Sequence, residues 1–329
     1  MKKIVALCLS LCFLSLTVGC APVAKNASLN FEKNRYVFLV AGFDEAAENT
    51  DVLFTVSYDA NASEARVAQI PRDTYFNFGK VQNKINQIYA SKISEGSSQR
   101  KAFEEASGEI ARAFGAKFDG FFGITISTFK KLVDAIGGVN ITLGEDKIIS
   151  LDGDEQIVLK RGNNHINGEL AEQFVRYRSG YAMGDLGRID AQKIFLNALF
   201  SKALSGMNLP TVIKVASIVD KEVITDVKLY DFINVFIDII NSKGDKKAFY
   251  ATVPGEPTEN ANGLSFYVLN RKSAAEMTSK YMFATKEFDC DKKFVDLSSE
   301  KFKDIYYDSS IKTNEYTGDN ISDLKIAKK

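Results

Sequence analysis

Histidine is almost missing from this sequence: His165 is the only one in 329 residues. That excludes metal centres built on several imidazoles and any catalytic device that needs a histidine pair. Tryptophan is absent and there are only five prolines, with no internal repeat or low-complexity tract. Cysteine is nearly as scarce. Of four, Cys8, Cys12 and Cys20 fall in the first twenty positions and only Cys290 lies beyond them. The part beyond position 20 therefore forms no internal disulfide and must be held by its core. An excess of charge of either sign is also lacking, since Lys+Arg and Asp+Glu both number 42. No overall positive field exists to gather nucleic acid, so no nucleic-acid partner is expected and any anion site must be a local cluster of cations. What the chain does have is 45% hydrophobic and 26% charged residues, enough for one large domain or two small ones with a sizeable core.

The amino terminus carries a strong local signal. Lys2 and Lys3 precede an apolar run over positions 4–18 that ends in Gly19 and Cys20. A basic start, a short apolar stretch and small residues before a cleavage point describe an export signal, and the run is short for a membrane span. Leu16-Thr17-Val18-Gly19-Cys20 resembles a bacterial lipobox, in which Cys20 is lipidated and becomes the first residue. The expected layout is a signal peptide over 1–19, a lipidated polar tether over 20–34, a folded domain over 35–285 and a charged, loosely packed tail over 286–329. The lipid would hold the protein at the extracytoplasmic face of the cell membrane.

Within the domain, short apolar runs at 36–42, 52–58 and 65–70 are separated by polar, turn-forming residues and predict three antiparallel neighbours. Further on, the pattern predicts helices over 99–114 and 127–136, strands over 121–126 and 139–143, mostly helix from 168 to 242, a strand over 248–253 and a helix over 272–283. Gly137-Gly138 stop the second of these helices. Strands and helices mixed without a strict βαβ rhythm predict an α/β fold, an α-β-α sandwich whose central mixed sheet is covered by helices on both faces.

Two groups of residues carry candidate chemistry. In an up-down-up meander, Asp44 lies just past the first strand and Asp51 opens the second at the same edge. The third strand, ended by Pro71, returns to that edge with Arg72 and Asp73. A carboxylate pair of this kind suits Mg²⁺ or Mn²⁺ with positions left for phosphate oxygens. Loop aspartates that only form turns, with a structural Arg72–Asp73 pair, fit the same residues. The second group begins at Gly168 with GELAEQFVRYR and continues with DLGRIDAQ over 185–192. Arg176 and Arg178 can act together only if the helix loosens at its end, whereas Asp185, Arg188 and Gln192 share one helical face. Asp185 also suits a helix cap. Arg176, Arg178 and Arg188 form a candidate phosphate clamp; the alternative is a solvated face paired with Glu172 and Asp190. His165 reads as a turn or packing residue. Phe121 and Phe122 read as core or as the lining of a lipid slot.

Several phrases together resemble the LytR-CpsA-Psr family of cell-wall enzymes. They are AGFD ending at Asp44, TDVLFTVS beginning at Thr50, IPRDT beginning at Ile70, KIN beginning at Lys84, IGGVNITL, HINGELAEQFVRYR beginning at His165, and DLGRIDAQ ending at Gln192. They stand in the family's order over roughly 35–285. The resemblance implies an α-β-α domain enclosing a slot for a polyprenyl chain. It also implies transfer of an anionic glycopolymer from a polyprenyl-pyrophosphate carrier to a peptidoglycan hydroxyl, assisted by Mg²⁺ or Mn²⁺. By that resemblance Asp44 and Asp51 hold the metal and Arg72, Arg176 and Arg178 grip the pyrophosphate. Arg188, Gln192 and Asp185 support them, while Lys84 and Asp73 complete the polar rim; the proton acceptor is Asp51 or Asp73. This chain departs from the family pattern at Asn49 and Ala191, where cations are usual, in a short loop between Asp44 and Asp51, in the lack of Gly-Gly after KIN, and in a lipid anchor instead of a membrane helix. A hydrolase of the same lipid-linked substrate and a non-catalytic polyprenyl- or glycan-binding lipoprotein remain as alternatives.

Overall fold

The computed structural model describes residues 34–44, 49–79, 83–149, 156–178, 181, 185–204, 207–241, 245–285, 291–308, 311–321 and 324. The export signal, Cys20 and the tether lie outside the described residues. No helix among the described residues is long and apolar enough to cross a membrane.

The chain opens with the meander β1 (Arg35–Phe43), β2 (Thr50–Asp59) and β3 (Glu64–Gln69). A 3₁₀ turn at Ile85–Gln87 then leads into α1 (Ile88–Ser94) and α2 (Gln99–Ala113). Next come β4 (Gly120–Ile124), α3 (Ile126–Ala135), β5 (Val139–Leu143), β6 (Lys147–Ile149), β7 (Ile157–Leu159) and β8 (Gly162–Ile166). The helical stretch holds α4 (Gly168–Arg176), α5 (Asp185–Leu204), α6 (Leu209–Glu222) and α7 (Leu229–Asn241), with the short β9 (Ile224–Thr225) between the last two. The chain continues with β10 (Lys247–Thr252), β11 (Gly255–Glu259), β12 (Ser265–Leu269) and α8 (Arg271–Tyr281), then α9 (Asp291–Phe294), α10 (Glu300–Tyr307) and β13 (Glu315–Thr317).

Seven strands form one mixed sheet in the order β13-β10-β3-β2-β1-β4-β9. β1 runs parallel to β4 and β10 parallel to β3, and the other neighbours are antiparallel. Period-two alternation sends side chains to two separate cores. From β1, Val37, Leu39, Ala41 and Phe43 pack under α1, α2, α8, α9 and α10. Tyr36, with the partly buried Phe38 and Val40, faces α3, α4, α5 and α7 on the other side. A helix layer on each face follows from this division, as the sequence predicts.

Local signals set the boundaries. Thr125 caps α3 by accepting the Thr128 N–H, Asn167 caps α4 through Leu170, and Asn208 caps α6 with Pro210 in its first turn. α3 stops at Gly137-Gly138, both at positive φ; a Cβ on Gly138 would sit 2.6 Å from the Ile166 carbonyl oxygen. His165 lies on the β5–β8 hairpin opposite Asn140, with Nδ1 3.0 Å from that amide oxygen, which makes it a structural pair.

One expectation is corrected and one alternative is decided. The segment after 285 is not loosely packed: Phe294, Val295, Phe302 and Tyr306 are buried in the first core, and β13 adds an edge strand to the sheet. Four large apolar residues spread among charges leave no clear period, yet each finds an apolar neighbour. Phe121 and Phe122 take the core alternative. Phe121 packs on Phe103, and Phe122 meets Phe38 and Phe232.

Candidate active site

The β1–β2 pairing shifts by one residue at the sheet edge. Gly42 pairs with Val52 and Phe43 with Thr50, so Asp51 is the extra residue of a β-bulge. A bulge interrupts the ladder and re-aims a side chain. Here it gives Asp51 to the Arg72 guanidinium, with Nη1 to Oδ1 at 2.6 Å. Arg72 stands in the turn after β3, where the Thr74 N–H and hydroxyl both bond to the Pro71 carbonyl. The KIN segment clips this turn in place: the Ile85 N–H reaches Thr74 and the Asn86 N–H reaches Arg72. Ile85 is buried as the anchor, and Lys84 is left to donate to Asp73 at 2.8 Å.

Helix α5 brings the opposing groups. Asp185 is its first residue and pairs along one face with Arg188 at 2.8 Å, while Arg72 Nε lies 3.7 Å from the same carboxylate. Arg188 is almost fully buried and also donates to the Asp51 carbonyl at 3.4 Å. One turn further on, Gln192 donates to the Val175 carbonyl at the end of α4 and accepts from Gln69 at 3.1 Å. Burial lowers the pKa of Arg188; the carboxylates of Asp185 and Asp51 oppose that effect, and the charges of Arg72 and Arg178 add to it. Burial acts the same way on Arg72, but the carboxylates of Asp185, Asp51 and Asp73 outweigh it and raise its pKa. Both guanidinium groups stay charged at any physiological pH.

The two arginines of RYR part company. α4 ends at Arg176, and Tyr177 turns extended at ψ 132°, which frees Arg178 to lie exposed near Arg188. Arg176 stays on the helix and donates to Glu172 at 2.6 Å; Lys130 meets the same carboxyl group at 3.0 Å. Glu172 is buried and one turn upstream, so it draws both cations away from the Arg72–Arg188 group. Asp190 pairs with Lys193. Ala191 is fully buried in the second core, so no cation is accommodated at that position. Asn49 gives both its backbone N–H and its amide to Asp44 at 3.2 Å, closing the loop mouth.

A charged pocket is lined by Asp51, Gln69, Arg72, Asp185, Arg188 and Gln192. Val52 and Gln192 also belong to the wall of a second, apolar cavity of about 140 Å³ between the sheet and the helices. Its other walls come from Val40, Ala41, Gly42 and Phe54 of the sheet, the β4–α3 corner at 124–126, Phe129, Val175, and Phe195, Leu196 and Leu199 of α5. Among the described residues, Thr125 and Gln192 are its only polar side chains. The apolar residues of this cavity, and Gln69, went unseen in the sequence, because an apolar residue facing a cavity has the same period as one facing a core.

Among the described residues no cluster of three or more His, Cys, Asp or Glu side chains is placed to hold a metal. Asp44 and Asp51 bracket one hairpin mouth, and only Asp51 lines the charged pocket. Two carboxylates fit a hard ion only if phosphate oxygens and water complete its shell, a common arrangement for Mg²⁺.

The sequence profile of the LytR_cpsA_psr family matches residues 20–282. The chain belongs to the LytR_cpsA_psr family. Among relatives, it is 26% identical over 213 residues to the polyisoprenyl-teichoic acid–peptidoglycan teichoic acid transferase TagV of Bacillus subtilis, a match spanning 62% of this chain and 53% of that protein. To the transferase TagU of Oceanobacillus iheyensis it is 23% identical over 253 residues, 76% of each chain. The crystal structure of B. subtilis TagV superposes with a TM-score of 0.63 at 22% identity, covering 77% of this chain and 99% of that one. LytR_cpsA_psr proteins thus share this mixed sheet with helices around it.

Proposed function

We propose that this LytR_cpsA_psr protein transfers an anionic glycopolymer from a polyprenyl-pyrophosphate carrier to a peptidoglycan hydroxyl. One observation carries the reading: the arginine-lined pocket and the apolar cavity share Val52 and Gln192 as a common wall. A ligand that suits both has an anionic head joined directly to a long hydrocarbon tail. The relatives' names, which describe transfer of polyisoprenyl-linked teichoic acid to peptidoglycan, support the same chemistry.

In this reading Arg72, Arg178 and Arg188 neutralise charge on the pyrophosphate, with Arg72 and Arg188 pre-set by Asp51 and Asp185. The acceptor hydroxyl oxygen bonds to the glycan-linked phosphorus, the bond to the bridging oxygen breaks, and polyprenyl phosphate leaves. The hydroxyl proton passes to Asp51, which lines the pocket, or to Asp73, which Lys84 holds at the rim. Mg²⁺ or Mn²⁺ held by Asp44 and Asp51 would neutralise further phosphate charge. Arg176 reaches the substrate only by leaving Glu172. Cys20 carries the lipid in this reading and keeps the domain at the membrane where its substrate lies; the mass of the mature amino terminus checks that assignment.

The test is a transfer assay with polyprenyl-pyrophosphate glycan and a peptidoglycan oligosaccharide. Joined product with equimolar polyprenyl phosphate is expected. Release of the glycan to water alone, or no turnover, overturns the reading.

A further inference from the structure

Four buried polar atoms on the residues lining the charged pocket lack a hydrogen bond among the described residues: Nε of Arg72, Nε of Arg188, Oδ1 of Asp185 and Oε1 of Gln69. The Asp185 oxygen lies 2.8 Å from Arg188 Nη2, without hydrogen-bond alignment, and 3.7 Å from Arg72 Nε, too far for a hydrogen bond. Gln69 is only 2% exposed, so bulk solvent does not serve it. Its orientation is fixed by a chain of amides. Nε2 of Gln69 donates to Gln192, and Nε2 of Gln192 donates to the Val175 carbonyl. Oε1 of Gln69 is thereby left as an acceptor. Protein interiors rarely leave such groups unpaired; they pair them with one another or with internal water.

We propose that one water molecule is bound here as a built-in part of the site. It donates to Oε1 of Gln69 and Oδ1 of Asp185, and it accepts from Nε of Arg72 and Nε of Arg188. Two donors and two acceptors are the complement of a water molecule. An oxyanion has no hydrogen to offer Gln69 or Asp185, and a metal ion would face two guanidinium groups. The pocket leaves about 10 Å³ of free space, close to the least that one water needs. The substrate phosphates then meet Arg72 and Arg188 from the open side of the pocket. On the transferase reading, the water ties the two guanidinium groups together from below, and Gln69 acts through it as a positioning residue.

Crystals of the substrate-free protein, at a resolution that shows ordered water, test this for the wild type, Gln69→Leu and Gln69→Glu. The wild type is expected to show density within hydrogen-bonding reach of all four atoms. Gln69→Leu, similar in size but without an acceptor, is expected to lose it, and Gln69→Glu to keep it. In the transfer assay Gln69→Leu should lower kcat about tenfold at little changed KM, the lower end for outer-shell partners, with partial rescue in Gln69→Glu. Wild-type crystals in which the site is dry and the four atoms bond to one another would overturn the proposal, as would unchanged kcat in a folded Gln69→Leu protein. Should the wild type show no transfer at all, the transferase reading falls while the density still decides the water.

Discussion

Arg188 is the residue on which the head-group site turns. It is the most deeply buried cation of the pocket, it is held by Asp185, and Arg72 and Arg178 lie close enough for their charges to act on it. Arg188→Ala should lower the transfer rate on the order of a hundredfold, as removing one preorganised transition-state donor does, with the circular dichroism spectrum unchanged. Arg176→Ala should cost less, since that side chain serves Glu172. A normal rate in Arg188→Ala would count against the clamp. Glu172 itself offers a pH test. Burial raises its pKa, but hydrogen bonds from Lys130 and Arg176 outweigh burial and leave it below the usual glutamate value of 4.5. The carboxylate's contribution to stability is therefore full above about 4.5, the unfolded value, and is lost as pH falls through the lower folded value. Glu172→Gln should lose about 1–3 kcal/mol in denaturant unfolding at pH 7, and the difference from wild type should shrink in acid.

At the scale of elements, the sequence was most legible where period and punctuation agree. The meander, the Gly137-Gly138 stop and the α5 face with Asp185, Arg188 and Gln192 all follow from spacing, and the structure brings those residues to one edge. Other features had no local signal. The bulge at Asp51 depends on how two strands pair, not on either strand alone. The contact of Lys130 with Glu172, the partner of Arg176, joins α3 to a residue 42 positions downstream, which neither segment shows alone. The segment over 291–308 was misread because its buried residues are few and widely spaced. Phe302 is 1% exposed and packs edge-on against Tyr75 and Phe266, beside the turn that carries Arg72 and Asp73. Phe302→Ala should destabilise the domain by about 3–5 kcal/mol, read from the denaturation midpoint. A loss under 1 kcal/mol would show that this helix is dispensable to the core.

Across the whole molecule, one division of labour connects fold and function. The sheet separates two cores; one lies under α1, α2, α8, α9 and α10, and the opposite one opens into the apolar cavity between the strands, α3 and α5. The same α5 that closes the cavity with Phe195, Leu196 and Leu199 carries Arg188 at its amino end. In the proposed function, one helix and the sheet edge beside it read both a hydrocarbon tail and a phosphate head. The most direct measurement is a crystal structure of the protein with a polyprenyl-pyrophosphate ligand. Continuous tail density between Val40, Phe129 and Leu199, with the phosphates against Arg72 and Arg188, is the expected result. A tail bound elsewhere, or phosphates on a surface away from these two arginines, would contradict it.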